Sequence, residues 1–127
     1  MSIKTFEKED PVTSVMTKGV LYVECSKTLR EAIIVMADFD IGSLIVADNG
    51  EPKGIITSKD IMKILAKKEN VDKILVKDVM QSPLIKIASF ETISTALIKM
   101  SEQKINHLIV VDGDKIIGMV NPINLLA

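Results

Sequence analysis

Tryptophan is missing altogether, and the aromatic side chains amount to three Phe and one Tyr. A core must therefore be assembled from Ile, Val, Leu and Met, whose β-branched members favour strands. Cys25 is the sole cysteine, so no internal disulfide can form, and a reducing, cytoplasmic setting is expected. His107 is the sole histidine, with no second His or Cys at ligand spacing, so no metal site is expected. Sixteen basic and seventeen acidic side chains leave a net charge of -1. Without a basic surplus to neutralise phosphates along a duplex, broad nucleic-acid binding is disfavoured. No apolar run approaches the about 18 residues of a membrane span, and the first ten residues lack the apolar core of a secretory signal. Walker A loops, G-x-G-x-x-G turns and nucleophile elbows are also absent. No catalytic residue is expected.

What the sequence does contain is aliphatic residues and a repeat. Nearly half of the 127 residues, 47%, are hydrophobic, enough for a substantial core. A shift of 64 positions aligns residues 12–63 with 76–127 without a gap. The identical pairs are Val12/Val76, Val15/Val79, Met16/Met80, Thr28/Thr92, Ala32/Ala96, Ile34/Ile98 and Met36/Met100. They continue with Ile41/Ile105, Leu44/Leu108, Ile45/Ile109, Val46/Val110, Asp48/Asp112 and Gly54/Gly118. A duplication explains this agreement.

Each copy reads as β-α-β-β-α. Short apolar runs, Val20–Val23 and Leu84–Ile87, open the copies as strands. Helical stripes follow: Leu29, Ala32, Ile33, Met36, then Ile93, Ala96, Leu97, Met100. Thr28 and Glu31 have capping-box spacing at the first of these. Strands Ser43–Ala47 and Gly54–Thr57 flank a turn at Asp48-Asn49-Gly50-Glu51, and His107–Val111 and Lys115–Val120 flank Asp112-Gly113-Asp114. The unbroken runs Leu44–Val46 and Leu108–Val111 suggest strands covered on both faces. Closing helices are expected at Ser58–Lys68 and Pro122–Leu126, the second about two turns shorter. The expected division is an arm at 1–11, a first repeat at 12–68, a linker at 69–75 and a second repeat at 76–127. Each copy is small, so the two are expected to pack together about a pseudo-twofold axis.

The motifs in this order resemble a pair of cystathionine-β-synthase-type (CBS) domains. The resemblance rests on Val15-Met16-Thr17 and Val79-Met80 at the openings and on Thr28-Leu29-Arg30-Glu31-Ala32 at the first helix. It rests further on Gly54-Ile55-Ile56-Thr57-Ser58-Lys59-Asp60-Ile61, a Gly and two aliphatics leading into Thr/Ser-x-x-Asp. It implies an α/β (α+β) fold in which paired sheets form a cleft with two pseudo-symmetric sites for AMP, ADP, ATP or S-adenosylmethionine. It also implies a homodimer forming a four-repeat disc, and control of a partner protein. No cofactor is required for catalysis; the adenosine compound acts as a regulatory ligand.

Thr57-x-x-Asp60 has two readings. It is a capping box, usable by any helix start. A carboxylate is also a strong acceptor for the two hydroxyls of a ribose, and a helix N-terminus offers N–H groups to phosphate. By the family pattern, Asp60 holds the ribose diol, with Thr57 and Ser58 supporting ribose or phosphate. The adenine then lies against Leu84, Ile85, Lys86, Ile105, Asn106 and His107 of the other repeat. Ile85 and Ile105 would sandwich the ring, and His107 sits where some relatives carry a basic phosphate ligand. His107 is equally readable as a strand-edge histidine bonded to backbone. The twin site combines Leu21, Tyr22, Ile41, Gly42 and Ser43 with Asn121 and Asn124. Lacking the Asp, it is expected to be weak. The alternatives to a ligand sensor are a purely structural dimerisation module and, with least support, an enzyme acting on nucleotides.

Overall fold

Threonine starts each of the three long helices among the described residues. Thr28, Thr57 and Thr92 each adopt an extended backbone, and each side chain accepts a backbone N–H three residues on. The computed structural model describes residues 7–122 and 124. Its elements are β1 (Tyr22–Glu24), α1 (Leu29–Phe39), β2 (Ser43–Asp48), β3 (Glu51–Thr57) and α2 (Ser58–Ala66). The order then repeats with β4 (Lys86–Ala88), α3 (Ile93–Gln103), β5 (Leu108–Asp112) and β6 (Lys115–Val120). Short 3-10 turns at Val12–Ser14 and Val76–Asp78 precede the two sets. The expected closing helix Pro122–Leu126 lies outside the described residues except for Pro122 and Asn124, which are helical.

Two three-stranded sheets result, ordered β1-β2-β3 and β4-β5-β6. In each, the first pair is parallel and joined through a helix, and the second is an antiparallel hairpin. Both hairpins close in two residues, Asn49-Gly50 and Gly113-Asp114. Asn49 and Gly50 have φ of 52° and 82°, the left-handed pair that matches strand twist in such a turn. The Glu24 carboxylate accepts from both their N–H groups, at 3.1 and 3.0 Å. Both hairpins shift register at equivalent points, between Val46 and Ala47 and between Val110 and Val111.

Both opening strands begin two residues later than the apolar runs suggest, while β3 begins at Glu51, three residues ahead of the expected Gly54, because the hairpin turn takes only Asn49 and Gly50. α2 ends at Ala66, where Lys67 caps it and Lys68 turns left-handed at φ 58°. At α1 only half the capping box forms: Thr28 accepts from Glu31, while the Glu31 carboxylate lies 3.9 Å from Lys27. Leu44–Ala47 and Leu108–Val110 are buried along their length, as strands covered on both faces require. Of the helical stripes, Leu29, Ala32, Met36, Ile93, Ala96 and Met100 are buried. Leu97 is 39% exposed. It projects roughly 65° from the centre of its stripe at 100° per residue, which puts it on the stripe's edge.

The chain folds as two compact units, offset from the sequence repeat: residues 21–84, and residues 1–20 with 85–127. Each unit owns a core. In the first, Val23, Leu29, Ala32, Leu44, Val46, Ile56 and Ile61 close around Val76. In the second, Ile87, Ile93, Ala96, Leu108, Val110 and Val120 close around Val12 and Val15. The Val-Met segment that opens one repeat thus completes the core that follows the other. Gly54 and Gly118 admit these segments. A Cβ on Gly54 would lie 2.5 Å from the Gln81 carbonyl oxygen, and one on Gly118 2.8 Å from that of Thr17. The segments pair through Ile55 with Gln81 and Met119 with Thr17, by N–H to carbonyl bonds of 2.8–3.0 Å in both directions.

Candidate functional site

The sheet of residues 21–84 delivers Thr57 to the end of β3, opposite Ser43 on β2. The Ser58 N–H donates to the Gly42 carbonyl at 2.9 Å, which fixes the first residue of α2 against the turn leading into β2. Asp60 then points back at its own helix start. Its Oδ2 accepts from Thr57 N and Thr57 Oγ1, both at 2.9 Å, and Asp60 N donates to Thr57 Oγ1 at 3.4 Å. The capping box is complete. Thr57 and Asp60 are half-buried and Ser58 is exposed.

The equivalent helix start in the other unit is built from amides. Asn121 N donates to Asn124 Oδ1 at 3.0 Å, and Asn124 N donates to Asn121 Oδ1 at 3.1 Å. Two asparagines therefore reproduce the reciprocal cap without a charge. Capping does not require a carboxylate here, so the charge of Asp60 is what distinguishes the two helix starts.

Each unit carries the helix start assigned to one expected site and the apolar strand end assigned to the other. Residues 21–84 hold Thr57, Ser58, Asp60 and Leu84, together with Leu21, Tyr22, Ile41, Gly42 and Ser43. The other unit holds Ile85, Lys86, Ile105, Asn106 and His107, with Asn121 and Asn124. In both, a left-handed residue ends the preceding helix, Asp40 at φ 52° and Lys104 at φ 55°. This turns the chain so that Ile41 N bonds the Met36 carbonyl and Ile105 N that of Met100, each at 3.0 Å. The carbonyls of Leu21 and Ile85 receive the N–H groups of Ile45 and Ile109, each at 2.9 Å. Ile85 and Ile105 pack on their unit's core while remaining partly open. Tyr22, at 47% exposure, presents its ring to solvent. His107 is 5% exposed, with Nδ1 3.3 Å from Asn106 Oδ1. Lys86 is exposed, and its carbonyl accepts from Lys99 Nζ at 2.6 Å.

One participant at Asp60 escapes the sequence reading. Gln81 Nε2 donates to Asp60 Oδ1 at 3.0 Å and to Oδ2 at 3.2 Å. Its repeat partner Thr17 accepts, through Oγ1, from Asn124 Nδ2 at 3.2 Å. The signal available was positional: both follow the Val-Met pair, 64 residues apart, and each faces a glycine that makes room for its backbone. Among the described residues, no group of three His, Cys, Asp or Glu could hold a metal ion, and no helix is long and apolar enough to cross a membrane.

A model of the CBS domain matches residues 12–67 and again 76–127. Among solved structures, an uncharacterized conserved protein of Pyrococcus horikoshii superposes with a TM-score of 0.84 at 31% identity, covering 95% of this chain and 92% of its own. The CBS domain pair of protein MJ0100, solved with 5′-methylthioadenosine and S-adenosyl-L-methionine, has a TM-score of 0.77 at 26% identity, covering 92% and 97%. A CBS domain protein of Pyrobaculum aerophilum complexed with AMP has a TM-score of 0.78 at 19% identity, covering 91% and 90%, and shows the fold alone. The chain spans 60% and 65% of the lengths of two uncharacterized archaeal proteins, and 25% of a homoserine O-acetyltransferase of Methanococcus vannielii that it matches at 29% identity.

Proposed function

Since this chain belongs to the CBS domain family, with two tandem copies, we propose that it is a regulatory module binding an adenosine-containing ligand and controlling a partner protein, without catalysing a reaction. The observation that carries the reading is the charge at Asp60. The helix start of the other unit is capped as completely by Asn121 and Asn124, so a carboxylate there serves something besides the cap. Two vicinal hydroxyls are the donors it suits, through charge-assisted bonds. Support also comes from the CBS domain pair of protein MJ0100, solved with 5′-methylthioadenosine and S-adenosyl-L-methionine.

In this reading Asp60 takes the ribose diol, and Thr57 and Ser58 take ribose or phosphate at the N-terminus of α2. Leu84, Ile85, Lys86, Ile105 and Asn106 take the adenine. His107, the least exposed of the set, lies beside Asn106 in this group, on the phosphate side. The amide-built start at Asn121 and Asn124, with Leu21, Tyr22, Ile41, Gly42 and Ser43, is the weaker site. The module acts as a cytoplasmic homodimer; the repeat-equivalent Ile34 and Ile98, 49% and 55% exposed, supply apolar surface for such an assembly. The repeats and linker divide at 12–68, 69–75 and 76–127.

The discriminating variant is Asp60→Asn, which keeps the cap in the form already used by Asn124 and removes the charge together with one acceptor oxygen. Thermal melting of the parent with AMP, ADP, ATP and S-adenosylmethionine should rise by several degrees with at least one of them. Ligand at 100 times its Kd adds about 2.7 kcal/mol. Asp60→Asn should lose most of that rise while its ligand-free melting temperature stays within about a degree of the parent. A variant that responds as the parent does would sink the assignment. A second reading, a structural dimerisation module, is favoured by the saturation of Asp60 Oδ2 within its own cap. It predicts no rise with any of the four compounds.

A further inference from the structure

The carboxylate assigned to the ribose already carries a donor. Gln81 Nε2 lies 3.0 Å from Asp60 Oδ1 and 3.2 Å from Oδ2. A donor nearly equidistant from both oxygens sits at the mouth of the carboxylate, where the inward lone pairs of the two oxygens converge. The hydroxyls of a vicinal diol need those same lone pairs, one on each oxygen. Oδ2 has little capacity elsewhere, because Thr57 N and Oγ1 both donate to it at 2.9 Å.

The main chain of Gln81 is fixed. It exchanges two bonds with Ile55, at 2.9 and 2.8 Å, in the space that Gly54 leaves. Its side chain is different: Gln81 is exposed, and its flexible stem can swing the amide into water. The same position in the other unit has the opposite polarity. There Asn124 Nδ2 is the donor and Thr17 Oγ1 the acceptor, so a donor on the capping residue is peculiar to the unit that holds the carboxylate.

We propose that the Gln81 amide is an internal occupant of the diol position on Asp60, which a ribose must displace, so that Gln81 sets the ligand concentration to which the module responds. The proposal rests on the assignment of ribose to Asp60. Without ligand, the amide satisfies the half-buried carboxylate. With ligand, two hydroxyls replace one bifurcated amide bond, and the net gain is the difference between them. Gln81 therefore weakens binding, the reverse of what a residue that positions Asp60 would do.

Calorimetric titration of the full chain with AMP tests this, with 2′,3′-dideoxy-AMP as the ligand that has no diol. Gln81→Ala and Gln81→Met, the latter keeping length without a donor, should each bind AMP about three- to tenfold tighter, the equivalent of one ordinary net hydrogen bond. Binding of the dideoxy compound should not change. In the parent, the side-chain amide proton resonances of Gln81 should move on saturation with AMP. Equal or weaker AMP binding by both variants, equal tightening for the dideoxy compound, or unmoved Gln81 resonances overturns the occupant and leaves the ribose assignment standing. Asp60→Asn binding AMP as tightly as the parent overturns the assignment and the occupant together, as does the absence of binding of AMP, ADP, ATP and S-adenosylmethionine alike in both parent and Gln81 variants.

Discussion

Asp60 and Asn124 differ by one atom exchange, an oxygen for an amide nitrogen, at equivalent points of a duplicated chain. Both receive the N–H of the residue that starts the helix, Thr57 or Asn121, at 2.9 and 3.0 Å. The helix is therefore indifferent to the exchange, whereas the ribose of the proposed ligand would not be. Elsewhere a single charge acts differently. Arg30 donates to Asp72 through Nε to Oδ1 and through Nη2 to Oδ2, the latter at 3.1 Å, tying α1 to the segment between the repeats. That hydrogen bonding, with the guanidinium charge, holds the Asp72 carboxyl below its ordinary range. A carboxyl depressed in the folded state adds stability above its unfolded pKa, and this is lost as pH falls through the lower folded value. Both side chains are exposed, so water screens the pair and its contribution is small. The melting temperature of Asp72→Asn should sit slightly below the parent at pH 7, and the gap should close as pH falls below the ordinary carboxylate range. A gap that widens in acid would contradict the pairing. Neither the pairing nor the Gln81 amide on Asp60 was legible beforehand. The partners are 42 and 21 residues apart in sequence, and no periodicity links side chains that meet only once the segment beside β3 is in place.

At the scale of elements, the two repeats agree most closely where their sequences do not. Asp40 and Lys104 share no chemistry, yet both end a helix in the left-handed conformation at φ 52° and 55°. Glycine is the residue that adopts this without steric cost. The register of the following strand demands the turn regardless, since Ile41 and Ile105 must return an N–H to the helix they leave. Lys104→Gly should therefore raise stability by about 0.5–1 kcal/mol, measured by urea unfolding, despite the added freedom of glycine in the unfolded chain. A loss of stability would mean that the Lys104 stem packs usefully where it lies. Element types and order were readable from alternation, stripe and turn residues. The starts of β1 and β4 were displaced by two residues, because the apolar run at each opening begins before the ladder does. Leu21 and Ile85 give their carbonyls to the sheet just ahead of β1 and β4.

For the whole molecule, the repeat in sequence and the unit in space have different boundaries. Val12, ahead of the first repeat's strands, is fully buried in the core of Leu108, Val110 and Val120, while Val76 is fully buried in that of Leu44, Val46 and Ile56. Val12→Ala removes two methyl groups from that core at a cost of roughly 1–3 kcal/mol. The loss should appear far along the chain. Amide hydrogen exchange should quicken in β5 and β6 more than in β2 and β3, and Val76→Ala should do the reverse. If Val12→Ala quickened β2 and β3 first, the division into units would be wrong. A duplicated chain whose opening segments complete the opposite cores cannot be cut at the repeat boundary without exposing both.

The sequence by itself determined the duplication, the β-α-β-β order of each copy with the closing helix of the first, the capped start of α2 and the family. Each of these is local, or is carried by a fixed offset, so residue type and spacing suffice. Only the tertiary structure decided which core each Val-Met segment joins, why Gly54 and Gly118 stand where they do, and what lies on Asp60. Those depend on backbone segments approaching to less than the width of a Cβ, and on side chains meeting across distances in the chain that spacing does not encode.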